Sequence, residues 1–147
     1  MGQAVCNPFA LNHFVDNIEY KSHIMKRSKD DSAIKCFYYG CYLAFQLRGL
    51  VKCFKRIRTS KLNLDFSKDP SMKKMLPKMK NILVFLKKGP DFKFPPLNRL
   101  INHYTEILDE DYFDFYLAAD AEIHDLLDQV NQKIDSNKNA INRSQTT

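Results

Sequence analysis

Residues 33–58 read AIKCFYYGCYLAFQLRGLVKCFKRIR, and no other stretch restricts the fold of this 147-residue chain so strongly. Phe37, Cys41, Ala44, Leu47, Val51 and Phe54 recur three or four residues apart, a spacing that gathers them on one side of an α-helix. Gln46 and Arg48 interrupt the apolar run, so the segment is expected to be a core helix of a packed domain and not a membrane span.

The remaining helices are announced by their starts and stops. Asn7-Pro8 reads as a start, because Asn can cap free amides and Pro is favoured in the first helical position; Leu11, Phe14, Val15 and Ile18 follow at helical spacing to about Met25. SKDDS at 28–32 is a polar break that caps the long segment. Asp69-Pro70 is another start, and the run through Ile82, Phe85 and Leu86 stops at KKGP, with Gly89 in the C′ position. Pro77 is expected to kink this helix or to move its start to about Leu76. Pro95-Pro96 precede a stripe of Leu97, Leu100, Ile101, Tyr104 and Ile107, and a last stripe carries Ile123, Leu126, Leu127, Val130 and Ile134. KLNLDF at 61–66 alternates polar and apolar residues, a pattern that suits either a short extended piece or a loop. The expected fold is mostly α, a compact bundle of five or six helices with one short extended segment near residues 61–66. Residues 1–7 would form an N-terminal tether, 8–135 the helical domain and 136–147 a disordered polar tail.

The motifs of common catalytic sites do not occur in the chain: there is no phosphate loop, dinucleotide fingerprint, nucleophile elbow or H-E-x-x-H, and four glycines are few from which to build one. The four cysteines lack a C-x-x-C pair, and His13, His23, His103 and His124 are scattered, so no zinc site is spelled. Cys36, Cys41 and Cys53 are expected as reduced thiols. Asp109, Glu110, Asp111 and Asp114 lack the ligand pattern of a calcium loop and read as carboxylates favouring a helix start. No enzyme activity, metal or cofactor is expected.

Charge is more informative. Residues 1–88 hold 18 Lys and Arg against 6 Asp and Glu, whereas residues 89–147 hold 5 against 11. At 100° per residue, Arg48, Lys52, Lys55 and Arg56 fall on one face of the long helix, opposite Leu47, Leu50, Val51 and Phe54. Arg58 and Lys61 continue this basic patch, and Lys73, Lys74, Lys78, Lys80, Lys87 and Lys88 form a second group. Such a surface suits an anionic membrane or, as the alternative, nucleic acid. The acidic half is a candidate surface for a protein partner.

The N-terminus bears on that choice. MGQAVC approaches the M-G-x-x-x-[ST] pattern for myristate on Gly2, and Cys6, four residues on, is a candidate for palmitate. One myristoyl chain associates with bilayers at only about 10⁴ M⁻¹. Four basic residues at roughly 1 kcal/mol each would add about a thousandfold. Lipid and basic face are thus complementary. No signal peptide or membrane span is spelled, so the expected location is the cytoplasmic face of a membrane, with the cytosol as the location of unacylated chain.

This layout of MGQ, a small helical domain, a basic first half and a polar tail resembles that of retroviral matrix proteins. The resemblance implies a viral protein that binds the inner leaflet through myristate on Gly2 and through Lys52, Lys55 and Arg56, and that forms homo-oligomers beneath the membrane. KFPPLNRLINHY followed by YFDFYLAADAEIHDLLDQVNQKI is similar to the back half of BTB or Skp1-type domains, through Leu117-Ala118-Ala119 and Leu126-Leu127. That second resemblance implies a strand at KLNLDF and an acidic half that docks a ubiquitin-ligase scaffold or another copy. The function expected is assembly or scaffolding by an acylated peripheral membrane protein, with a protein-interaction adaptor or a basic nucleic-acid-binding protein as alternatives.

Overall fold

The computed structural model describes residues 8–27, 32–59, 70–110 and 120–145, and every regular element among them is a helix. In chain order these are α1 (Pro8–Arg27), α2 (Ala33–Thr59), α3 (Pro70–Lys87), α4 (Pro95–Glu110) and α5 (Asp120–Gln145). The expected tether at 1–7 and the extended segment at 61–66 lie outside the described residues, as do Leu117-Ala118-Ala119.

Local chemistry accounts for the helix ends. Ser32 precedes α2 and its Oγ accepts from the Lys35 N–H at 3.3 Å, while its carbonyl accepts from the Cys36 N–H at 3.1 Å. At the end of α3 the Lys88 and Gly89 N–H groups donate to Phe85 and Leu86, and Gly89 takes φ 69°, the left-handed turn that glycine enters without a Cβ penalty. Pro77 neither starts nor breaks α3. It has no N–H to donate to the preceding turn, but it lies on the exposed side of a helix anchored by buried Met75, Met79 and Ile82.

Four helices pack in the cyclic order α1, α2, α4, α3, and α5 covers α4 from outside. The apolar stripes meet in one core that includes Leu11, Val15 and Ile18 of α1, Leu43, Leu47 and Leu50 of α2, Ile82 and Leu86 of α3, Leu97, Leu100 and Tyr104 of α4, and Ile123, Leu126 and Val130 of α5. α1 and α2 run in opposite directions, with Phe14 against Gly49 and Lys21 over the Tyr42 and Tyr39 rings at 4.6 and 5.2 Å.

The turn between α3 and α4 is built by side chains. Phe92 is fully buried and its N–H donates to Asn98 Oδ1 at 2.9 Å, while Asn98 Nδ2 donates to Asp91 Oδ1 at 3.1 Å. The Lys93 N–H also donates to Asp91 Oδ1, at 2.8 Å, in an Asx turn that holds Lys93 at φ 62°. Phe92 and Leu97 close on Gly40 of α2, and Phe94 meets Phe37 edge-on with centroids 5.7 Å apart.

Two expectations change. The residues after Asp135 continue α5 as far as Gln145. Asn, Ser and Asp each cost at most about 0.7 kcal/mol relative to Ala, and no Pro or Gly lies between Asp120 and Gln145 to stop the helix. Asp109 lies in the last turn of α4 and not at a helix start. A carboxylate is unfavourable at that end of a helix dipole, and Lys87 Nζ, 2.7 Å away, offsets it.

Candidate functional site

α2 carries no acidic residue over its length. Its inward side is held by Phe37, Cys41, Ala44, Leu47 and Val51, all buried, with Phe54 half-buried. Turning the helix by 100° per residue leaves Ile34, Tyr38, Phe45, Lys52 and Arg56 within about 40° of one another on the outward side. All five are exposed: Ile34 by 61%, Tyr38 by 37% and Phe45 by 43% of their surfaces, with Lys52 and Arg56 beyond them. Arg48 and Lys55 flank this line, half-buried. One stripe is thus apolar in its first half and basic in its second.

The basic end was legible from charge and periodicity, whereas the apolar end was not. Ile34, Tyr38 and Phe45 resemble core residues in type, and although they fall on the line of Lys52 and Arg56, buried Cys41 lies within about 20° of that line, so the angle by itself does not separate them. The Arg58 side chain and Lys61 lie outside what is described, as do Gly2 and Cys6.

The position of the start of α1 relative to this stripe follows from helix pairing. Phe14 sits beside Gly49, and α1 and α2 are antiparallel. Going back from Phe14 to Pro8 covers about 9 Å of helix axis, at ~1.5 Å per residue. Pro8 therefore stands level with Lys55 and Arg56.

The second basic group does not join the first. α3 and α2 are not neighbours in the cycle, since α1 and α4 stand between them. Two of its lysines are also engaged by carboxylates: Lys78 with Asp16 of α1 and Lys87 with Asp109 of α4, both at 2.7 Å. The Asp16 carboxylate holds the Lys78 ammonium above its ordinary pKa, through its hydrogen bond first and its charge second. Lys74, Lys80 and Lys88 remain exposed, and the Lys73 side chain is not described.

Five of the eleven acidic residues in 89–147 lie on α5. Asp125, Asp128 and Asp135 share its outward side, opposite Ile123, Leu127 and Val130. Asp125 accepts from Gln129 at 3.0 Å, and Glu122 reaches His103 Nε2 of α4 at 3.3 Å. His124 is exposed beside Asp125.

Cys36, Cys41 and Cys53 are in the thiol form, and burial raises the Cys41 pKa to about 11, which keeps it protonated at neutral pH. Among the described residues no group of three His, Cys, Asp or Glu side chains is arranged to hold a metal ion. No described helix is long and apolar enough to cross a membrane. No family model, curated protein or solved structure matches the chain.

Proposed function

We propose that the protein is a non-enzymatic peripheral membrane protein, acylated at Gly2, that uses the basic end of α2 to hold an anionic leaflet and acts in assembly or scaffolding. The observation that supports this reading is the antiparallel pairing of α1 with α2, which brings Pro8 level with Lys55 and Arg56. A lipid on Gly2 would enter the bilayer beside the side chains that its weak affinity requires. Arg48, Lys52, Lys55 and Arg56 supply the electrostatic part, at roughly 1 kcal/mol for each residue near the surface. Cys6 offers a second attachment point on the same tether. The acidic side of α5 is directed away from the α4 surface that it covers, and it serves a protein partner or a second copy.

Membrane fractionation of the natively expressed protein tests the first half of this reading, together with its intact mass, since myristate adds about 210 Da to the chain. Gly2→Ala is expected to move the protein from membrane to cytosol; an unshifted mass and unchanged fractionation reject acylation. Lys52→Gln, Lys55→Gln and Arg56→Gln combined are expected to weaken binding to phosphatidylserine vesicles and to leave phosphatidylcholine binding little changed. Equal loss on both vesicles rejects the basic patch. Tight, salt-sensitive RNA binding by unacylated protein, with no preference for anionic vesicles, would favour the nucleic-acid alternative.

A further inference from the structure

The apolar half of the α2 stripe has no role in holding headgroups. Ile34, Tyr38 and Phe45 are large side chains turned away from the core on three successive turns' worth of one helix line. Scattered surface apolar residues are ordinary, but a row of them that runs directly into Lys52 and Arg56, on a helix without a carboxylate, is what an interfacial helix presents. From Ile34 to Arg56 the line extends about 33 Å at ~1.5 Å per residue. The charge at one end selects an anionic surface, and the apolar end then needs an apolar layer just beneath that charge. A bilayer interface provides both at these depths; a tyrosine hydroxyl and a ring are at home there.

We infer that α2 lies flat on the membrane, with Ile34, Tyr38 and Phe45 inserted at the boundary between headgroups and acyl chains while Lys52 and Arg56 engage anionic headgroups. This rests on the proposed membrane function and adds to it an orientation and a second, non-electrostatic contact. Of the other exposed apolar residues, Leu76 and Val84 belong to α3, on a different side of the helix cycle, and Lys87 on that same face of α3 is engaged by Asp109 of α4. Tyr20 stands on α1, whose neighbouring Asp16 and Glu19 would meet an anionic leaflet with like charge.

The chain contains no tryptophan, so one introduced indole reports on one position. In full-length protein, Phe45→Trp and, separately, Val84→Trp are mixed with phosphatidylcholine vesicles with and without phosphatidylserine. The expected result is a blue-shifted emission for Phe45→Trp on anionic vesicles, quenched by brominated lipid, with Val84→Trp unmoved. Ile34→Ser combined with Phe45→Ser is expected to lower affinity for anionic vesicles about tenfold or more, while binding keeps its salt dependence. Both changes are at exposed positions, and circular dichroism checks that the helices persist. Vesicle binding with an unshifted Phe45→Trp overturns the inference and leaves the membrane function standing. A shift in Val84→Trp in its place assigns the contact to α3 and also overturns it. A blue shift of Phe45→Trp that grows with protein concentration without lipid makes the stripe a contact between copies, which again overturns it. Absence of vesicle binding by every variant and by the parent rejects the membrane function itself.

Discussion

Phe14 of α1 covers Gly49 of α2 so closely that a Cβ on the glycine would lie 2.5 Å from Phe14 Cε1. Gly40, one helix face away, is closed by Phe92 and Leu97, whose nearest atoms would lie 2.6 Å from an added Cβ. These two glycines set how near α1 and α4 come to α2. They differ in what surrounds them. Phe14 is half-buried and offers the far end of its ring, whereas Phe92 and Leu97 are fully buried and cannot yield without disturbing the core.

A Gly-to-Ala change inside a helix gains about 1 kcal/mol in propensity, and overpacking costs about 1–3 kcal/mol. Gly40→Ala is therefore expected to destabilise the fold by about 1–2 kcal/mol, and Gly49→Ala to come within about 1 kcal/mol of neutral. Urea unfolding of both variants checks the ranking, which a larger loss for Gly49→Ala would reverse.

Asn98 joins the turn to α4 by accepting from Phe92 and donating to Asp91. Asn98→Ala leaves the Phe92 N–H without that acceptor and is expected to cost about 1–2 kcal/mol. Asp91 gives the same turn a pH dependence. Hydrogen bonds from Asn98 first, then from the Lys93 backbone, hold its carboxyl below the ordinary carboxylate range. A lowered folded-state pKa means that the stabilisation is present in full above the unfolded pKa and is lost as pH falls through the folded one. Any stability difference between parent and Asp91→Asn should hold from neutral pH to about pH 5 and fade in stronger acid. Denaturation midpoints measured across that range would contradict this by staying parallel to the most acidic point.

The thiols should separate by access. Cys36 is half-buried, Cys53 is buried, and Cys41 is both buried and raised to about 11. Iodoacetamide applied to folded protein at neutral pH is expected to label Cys36 before Cys41 and Cys53, which react at the rate of unfolding. Peptide mass spectrometry gives the order directly; early labelling of Cys41 would show that its turn of α2 opens more readily than its packing implies.

Much of this fold is readable from the chain because a helix turns short-range spacing into a surface. Leu97, Leu100, Ile101, Tyr104 and Ile107 were a stripe in the sequence and are all buried in α4, and Gly89 ends α3 where a helix-stopping glycine was expected. Residues whose burial depends on partners distant in sequence were less accessible. Phe92 lies outside any helix and enters the core because Gly40 and Leu97 leave it a place there. Asp109 reads as an acid near a helix start until α4 extends beneath it and Lys87 meets it.

The candidate site divides along the same line. Periodicity alone put Arg48, Lys52, Lys55 and Arg56 on one side of α2, since the angle between residues of one helix depends on nothing beyond that helix. Which apolar residues stay outside, and where α1 starts along α2, are decided by other helices. Ile34, Tyr38 and Phe45 are exposed because α1 and α4 take the two sides adjoining their line and leave that line open. Pro8 is level with the basic end because α1 returns antiparallel along α2, with Phe14 seated on Gly49. Local spacing determines the faces of a helix, but only packing, through the burial that each face can find, determines which face remains open to a partner.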